Sequence, residues 1–480
     1  MPKPPVSRHS GAPVGKGGSP GNAAAIFGKS RNLAPLLSVE QSPDVPTSIF
    51  GVELPREWKR VPIATHYRIT KKPKELKPQA DRSLPFIPME AVPTNGQMVC
   101  KFELRKLAEI KSGIYFESGD ILLSKITPSF ENGKQGMACG LPEKFGYGST
   151  EIIPLQAITT EASNIYLFYL LLQHEIRELL TGKMEGSTGR KRVPESAIRN
   201  LEIPLPPKPE QEKIAAVLWK VQRAIATQDR LIAATRDLKA SAMQRLFTRG
   251  LRGEPLKDTE IGPMPESWNI KPLSILTLPT DTVELLREGD REIEYIDVSS
   301  VSRDILQVTE TTRYKLKDAP GRARKRVLAG DVIFATIRPT LLRAAWIDER
   351  LNNQVCSTAF CVLRDHNPEL KGAYLFYAVQ RREFIDQLAK IETGASYPAV
   401  TDKQIKNQLI PVSSSDEQRA IATALATIDR KLAHHQEKRA ALNELFQTLL
   451  YKLMTAEIRV NHLDIDTSKV TQQETQGEAT

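Results

Sequence analysis

Two long stretches of the chain carry apolar residues at alternating steps of four and three. Ile421, Leu425, Ile428, Leu432, Leu442, Phe446, Leu449 and Leu453 form one series, and Ile214, Leu218, Val221, Ile225, Ile232, Ala242 and Leu246 form the other. That spacing keeps one side of an α-helix apolar and fits a coiled-coil seam. Gln228, Thr235 and Lys239 interrupt the first seam, and His435 and Arg439 the second. The pattern predicts helices over 209–248 and 415–456, each on the order of 60 Å long. Pro206-Pro207-Lys208-Pro209 stops the preceding chain and presets the first helical turn, where Glu210 and Glu212 suit the positive helix end. Ser415-Asp416-Glu417-Gln418 reads as a capping box for the second helix. Arg249-Gly250-Leu251-Arg252-Gly253 ends the first. Each helix could simply cover its own domain, but an antiparallel pair is the simplest way to bury both seams.

The segments before the helices change period. Asp120–Ser124, Glu151–Leu155, Asp331–Ala335 and Thr358–Leu363 are short β-type runs, with helical segments at about 164–181 and 370–390. An α+β block therefore precedes each long helix. Each block opens with a turn-rich stretch containing a tryptophan, Trp58 in the first and Trp268 in the second.

The blocks repeat. Pro204, Glu210, Gln211, Ile214, Ala215, Leu218 and Val221 return 207 residues later as Pro411, Glu417, Gln418, Ile421, Ala422, Leu425 and Ile428. Gly119-Asp120-Ile121 returns as Gly330-Asp331-Val332 at a slightly shifted spacing. The period far exceeds solenoid repeats of roughly 20–50 residues, so the unit is a whole domain plus its helix. Two similar halves in one chain can present related surfaces to a pseudo-symmetric partner.

Composition narrows the class. The 480 residues are 40% hydrophobic, ordinary for globular material. The longest apolar run, Ile165–Leu172, is a helix core well short of the roughly 18–20 residues of a membrane span. Residues 1–50 are rich in Pro, Gly and Ser and read as a disordered leader, with a disordered tail expected over 457–480. Gly11-Ala-Pro-Val-Gly15-Lys16-Gly17 falls one residue short of a phosphate loop and lacks its Ser or Thr. Cys100, Cys139, Cys356 and Cys361 lack paired CxxC spacing and read as reduced core thiols of a cytoplasmic protein. A net charge of +10 and a pI near 9.2 point to a polyanionic partner.

The basic residues give that charge a location. Gly186-Ser187-Thr188-Gly189-Arg190-Lys191-Arg192 offers amides, hydroxyls and cations to phosphates or base edges. Its counterpart, Gly394-Ala395-Ser396-Tyr397-Pro398-Ala399, exchanges the cations for an aromatic ring. Lys125 and Lys134 in the first block, and Arg322, Arg324, Lys325, Arg326, Arg338 and Arg343 in the second, are further candidates. The lysines at 71, 72, 74 and 77 read as a solvated loop. Catalytic signatures are missing: Thr127-Pro128-Ser129-Phe130 lacks the amide of a methyltransferase loop, and no His/Cys/carboxylate metal set stands out. His434 and His435 read as solvated or seam residues on a helix. Asp120 and Asp331 read as turn residues opening strands. The chain reads as a binder, not an enzyme.

Gly119-Asp-Ile-Leu-Leu-Ser-Lys-Ile-Thr-Pro-Ser-Phe-Glu-Asn-Gly-Lys134, Gly330-Asp-Val-Ile-Phe-Ala-Thr-Ile-Arg-Pro339, Ile203-Pro-Leu-Pro-Pro207 with Glu210-Gln211, and Ile410-Pro411 with Glu417-Gln418 together resemble the specificity subunits of type I restriction–modification systems. The second exit, Ile410-Pro-Val-Ser-Ser414, departs from the Pro-Leu-Pro-Pro form of the first. The resemblance implies two target-recognition domains (51–208 and 262–414) and two spacer helices (209–248 and 415–456), with a linker over 249–261. The domains would read a split, asymmetric duplex DNA target. Ser187, Thr188, Arg190, Lys191, Arg192, Lys125, Lys134, Arg338, Arg343 and Tyr397 are the candidate DNA contacts. Ile214, Leu218, Val221, Ile225, Ile421, Leu425, Ile428 and Leu432 are the candidate spacer and partner positions. Two modification subunits would bring S-adenosylmethionine, and restriction subunits would bring ATP and Mg2+. A specificity subunit for a fused restriction–methylation enzyme, and a scaffold that binds no DNA, are the rival readings.

Overall fold

The computed structural model describes residues 51–470, except Asn95, Gln97, Val99, Thr188, residues 366–369 and the side chains of Leu285 and Leu286. The expected leader over 1–50, residues 471–480 and the candidate Thr188 lie outside the described residues.

Each repeat is an α+β block closed by its own first and last strands. Lys59–Pro62 pairs antiparallel with Glu202–Leu205 in the first block, and Asn269–Pro272 with Leu409–Val412 in the second. Inside the first block, one antiparallel sheet runs in the order Tyr67–Ile69, Ile152–Ala157, Ile121–Ser124, Gln135–Met137. A second sheet runs Glu103–Lys106, Ser83–Ile87, Phe145–Gly148, Ile114–Glu117, with its central pair parallel. The second block repeats both. Its sheets run Ala344–Trp346, Val332–Ala335, Phe360–Leu363 and Thr312–Lys315, Glu292–Ile296, Gln354–Ser357, Ala323–Val327. An isolated bridge, Thr277 to Asp365, stands in place of the Tyr67–Ile69 strand.

The helical segments expected at 164–181 and 370–390 are each broken in two. Asn164–Leu170 is followed by His174–Thr181, and Gly372–Ala378 by Arg382–Ala389. At the first break, Arg177 Nε donates to the Leu171 carbonyl at 2.7 Å and Gln173 Nε2 to the Leu450 carbonyl of the second long helix. Arg177 thereby takes over a carbonyl that a continuous helix would use internally, and Gln173 ties the break to the second long helix.

The long helices run Lys208–Arg249 and Ser415–Met454, roughly 60 Å each. The N-cap of the second is Ser414, one residue before the expected Ser415, and its hydroxyl accepts from the Glu417 N–H. Glu417 and Gln418 also bond beyond the cap. Glu417 bonds the indole of Trp268, and Gln418 accepts from Lys371 N–H and donates to the Ser413 carbonyl.

The helices pack antiparallel. Ile214 and Leu218, near the start of the first, share a core with Phe446, Leu450 and Leu453, near the end of the second. Phe247 shares the other core with Ile421 and Leu425. Val221 and Ile225 are half-buried against the first core and Ile428 against the second, while buried Leu432 lines a cleft beside the second block. The apolar seam thus belongs as much to the domain cores as to the helix pair. Polar contacts hold the middle: His435 Nδ1 lies 2.9 Å from Gln228 Oε1, and Arg439 pairs with Asp229. Gln228 and His435 are themselves separated by 207 residues. Two equivalent residues touching across an antiparallel pair mark the local pseudo-twofold axis. A half-buried polar pair in such a seam also favours one register.

The repeated Trp and Glu-Gln positions form one joint, built twice. Trp58 Nε1 donates to Glu210 Oε2 at 3.0 Å, and Trp268 Nε1 to Glu417 Oε2 at 3.1 Å. Gln211 accepts from Ser163 N–H and donates to the Glu161 and Pro206 carbonyls, the role Gln418 fills in the second copy. The charge on each buried glutamate is met from the exit of the other long helix. Arg459 binds Glu210 through Nε and Nη2 at 2.6 and 2.9 Å, while Leu251 N–H donates to Glu417 at 2.8 Å with Arg252 nearby. Gly250, at φ +59°, permits that approach, because a Cβ there would fall 2.7 Å from Glu417 Oε1.

The tail therefore departs from the expected disorder over 457–470. Val460 and Val470 are buried in the first core and Arg459 anchors the segment to Glu210. The interdomain linker is likewise packed, with Leu256–Lys257 pairing with Met264–Pro265 and Ile261 buried.

Candidate nucleic-acid interface

Glu185 and Arg192 exchange both backbone hydrogen bonds, at 2.9 and 2.8 Å, and so close a small hairpin. Gly186 turns it at φ +124°, where a Cβ would lie 2.9 Å from the Arg190 carbonyl oxygen. Its outer strand is stitched to the end of the Ile121–Ser124 strand. Thr127 N–H donates to the Lys191 carbonyl at 3.0 Å and Val193 N–H to the Lys125 carbonyl at 2.8 Å. Lys134 joins the same stretch through Ser124 N–H, which donates to its carbonyl at 3.1 Å. The backbone thus gathers Lys125, Lys134, Ser187, Arg190, Lys191 and Arg192, with Ser187 and the three hairpin cations exposed.

These cations are not equivalent. Arg192 forms a two-pronged pair with Glu151, at 2.8 and 2.6 Å. That hydrogen-bonded pairing lowers the Glu151 carboxyl and raises the Arg192 guanidinium from their ordinary values. Its charge is already answered within the block. Among the described residues, no carboxylate partner holds Arg190 or Lys191.

The second block repeats the scaffold with different side chains. Thr393 and Ala399 exchange hydrogen bonds at 3.0 and 2.9 Å, and Gly394 turns at φ +108°. Arg338 N–H donates to the Pro398 carbonyl at 2.6 Å, the bond Thr127 makes to Lys191. Arg338 adopts left-handed backbone at φ +49°, uncommon for a residue with a Cβ. Its guanidinium stands 4.9 Å from the centroid of the Tyr397 ring, and Nη2 donates to the Ser396 carbonyl at 3.2 Å. Tyr397 is 71% exposed.

Three other candidates of the second block serve the fold, while Arg322 stays exposed and Arg324 is half-buried. Arg343 Nη1 donates to the Val298 carbonyl at 2.5 Å. Lys325 pairs with Asp402 and Arg326 with Glu288. The signal that sequence reading passed over was the pairing of Ile126-Thr127-Pro128 with Ile337-Arg338-Pro339. It places Arg338 opposite Thr127, and Arg190 opposite Tyr397.

The two Gly-Asp turns diverge as well. Asp120 accepts from the Glu117 N–H at 2.9 Å and Asp331 from the Leu328 N–H at 2.8 Å, so both are turn residues. Arg364 grips both carboxylate oxygens of Asp331 at 2.8 Å, but its counterpart beside Asp120 is Gln156. Burial accordingly pushes Asp120 up to about 8. Among the described residues no group of three or more His, Cys, Asp or Glu is arranged to hold a metal ion, and no helix is long and apolar enough to cross a membrane. A cleft of about 670 Å3 between the helix pair and the second block, lined by Lys239, Arg303, Arg381 and Asp429 among others, shares no residue with either hairpin.

A tandem α+β chain with two matched basic or aromatic hairpins and an antiparallel helix pair defines a two-domain binding protein. The family described as "Type I restriction modification DNA specificity domain" matches residues 55–234 and 286–444. The chain belongs to that family. It is 24% identical over 337 residues to the "Type I restriction enzyme MjaVIII specificity subunit" of Methanocaldococcus jannaschii, covering 67% of this chain and 76% of that one. It is 32% identical over 195 residues to the "Type I restriction enzyme EcoEI specificity subunit" of Escherichia coli, covering 40% of this chain and 32% of that one. The fold is shared with the crystal structure of the type I restriction-modification S subunit from M. genitalium, with TM-score 0.53 and 15% identity over 85% of this chain and 99% of that one.

Proposed function

We propose that the chain is the DNA-specificity subunit of a type I restriction–modification complex. The observation that carries this reading is the pair of hairpins, built on the same backbone bonds but furnished differently. They belong to domains rooted at opposite ends of one helix pair. Each domain reads one half of a bipartite duplex target, and their different residues make that target asymmetric. Helices of roughly 60 Å hold the readers a turn or more of DNA apart, at about 3.4 Å per base pair. The pseudo-twofold axis at Gln228 and His435 supports docking of two identical modification subunits, one on each repeat. Those partners carry S-adenosylmethionine and flip the target adenine from the stack. Restriction subunits bring ATP and Mg2+, so catalysis resides outside this chain, and the complex works in the cytoplasm. Shortening both long helices by one matched turn tests the ruler. The methylated-adenine motif of cells carrying the variant should keep its two half-sites and lose base pairs from the spacer. An unchanged spacer would rule out the helices as its determinant.

A further inference from the structure

We propose that Arg338, braced by Tyr397, reads a guanine in the major groove of the half-site bound by the second domain. The assignment rests on the DNA-reading function above and names one feature of its target. Four observations converge on Arg338. Its backbone is left-handed at φ +49°, a conformation that costs a branched-off side chain free energy and clusters at functional sites. Its N–H is locked to the Pro398 carbonyl at 2.6 Å, so the hairpin enforces that conformation. Its guanidinium lies over the Tyr397 ring at 4.9 Å and bonds the Ser396 carbonyl, which restricts a side chain that otherwise has many rotamers. Arg338 nevertheless remains exposed, and among the described residues no carboxylate neutralises it. Lys325, Arg326 and Arg343 of the same block are engaged internally.

A mere phosphate clamp needs none of this. Lysine supplies charge as a point, and the first-domain hairpin carries its own exposed cations at Arg190 and Lys191. A planar fork fixed in direction suits the two adjacent acceptors of guanine, O6 and N7, the commonest specific arginine contact. Tyr397 takes the position of Arg190 and acts as the platform, keeping the fork aimed before DNA arrives.

The test uses the full chain assembled with its cognate methyltransferase, and reads methylated adenines genome-wide. The wild-type motif should contain a G·C pair in one half-site that becomes degenerate in Arg338→Lys. Discrimination at that position should fall roughly tenfold to a hundredfold while the remaining positions hold. Arg338→Asn, whose side chain tolerates left-handed backbone, should show the same loss with thermal stability unchanged or raised. Tyr397→Ala should show a partial loss at the same position. An intact motif in both Arg338 variants overturns the assignment. So does a uniform weakening on every sequence, which marks a phosphate contact. A wild-type complex that methylates no bipartite motif overturns the functional reading itself, and this assignment with it.

Discussion

The two copies of the recognition scaffold share their backbone bonds and little else. Thr127 and Arg338 donate through equivalent N–H groups to Lys191 and Pro398, and Gly186 and Gly394 make the same turn. On that common frame the cation has changed sides. In the first domain it sits on the hairpin at Arg190 and Lys191; in the second it sits on the facing turn at Arg338, and an aromatic ring occupies the hairpin. The same contrast recurs below the surface. Tyr169 OH donates to Gln222 and faces Phe446, whereas Tyr377 OH donates to Asp429, which pairs with Lys239. Backbone hydrogen bonds constrain the path of the chain without specifying side chains, so one frame can carry two chemistries.

The comparison can be broken most severely at its closing segments. Deleting residues after Ala456 removes Val460 and Val470 from the first core and leaves Glu210 without Arg459. A loss on the order of 4 kcal/mol is expected in the first domain, with the second spared. Calorimetry should then show two transitions, and a single unshifted transition would contradict the packed tail.

The buried aspartates offer the next test. Asp331→Asn strips a partner from Arg364 and should cost about 3 kcal/mol. Asp120→Asn should do the opposite. Because burial raises Asp120 to about 8, the folded protein holds a proton that the unfolded chain releases near 4. Stability therefore falls as pH rises from about 4 to about 8, and the loss is complete above that window. The Asn variant lacks this term, so its advantage over wild type should grow across the window and level off beyond it. Denaturant unfolding at pH 5 and pH 9 measures it; equal advantages at both values would remove Asp120 as the cause.

The smallest expected effect separates the hairpin cations. Neutralising Arg190 and Lys191 together should reduce the salt slope of DNA affinity by about 2, at roughly 0.9 per phosphate contact. Arg192→Ala alone should change it by less than one, since Glu151 already neutralises that guanidinium. An equal effect per cation would show that the Glu151 pair opens on DNA.

Much of the frame was legible from spacing. The seam residues gave both long helices to within about two residues at each end. The matched Gly-Asp turns gave the central strands. The sequence pattern also singled out Glu210, Gln211, Glu417 and Gln418, although nothing local showed that the glutamates hold tryptophans 152 and 149 residues away. The cap at Ser414 was missed by one residue, because Ser413, Ser414 and Ser415 all offer a hydroxyl at the helix start. The helical segments were read as continuous because apolar residues stand on both sides of the breaks at Leu171–Gln173 and Val379–Arg381.

By itself the sequence determined periodicity, duplication and the supply of cations, since each depends on residues near one another in the chain or on a constant offset. Tertiary structure decided which cations stay available. Arg192 is answered by Glu151 from 41 positions upstream, and Arg326 by Glu288 from 38 positions upstream. It also decided that the tail completes the first domain, through a pair spanning 249 residues between Glu210 and Arg459. Burial and charge pairing act through space, so no local pattern encodes them.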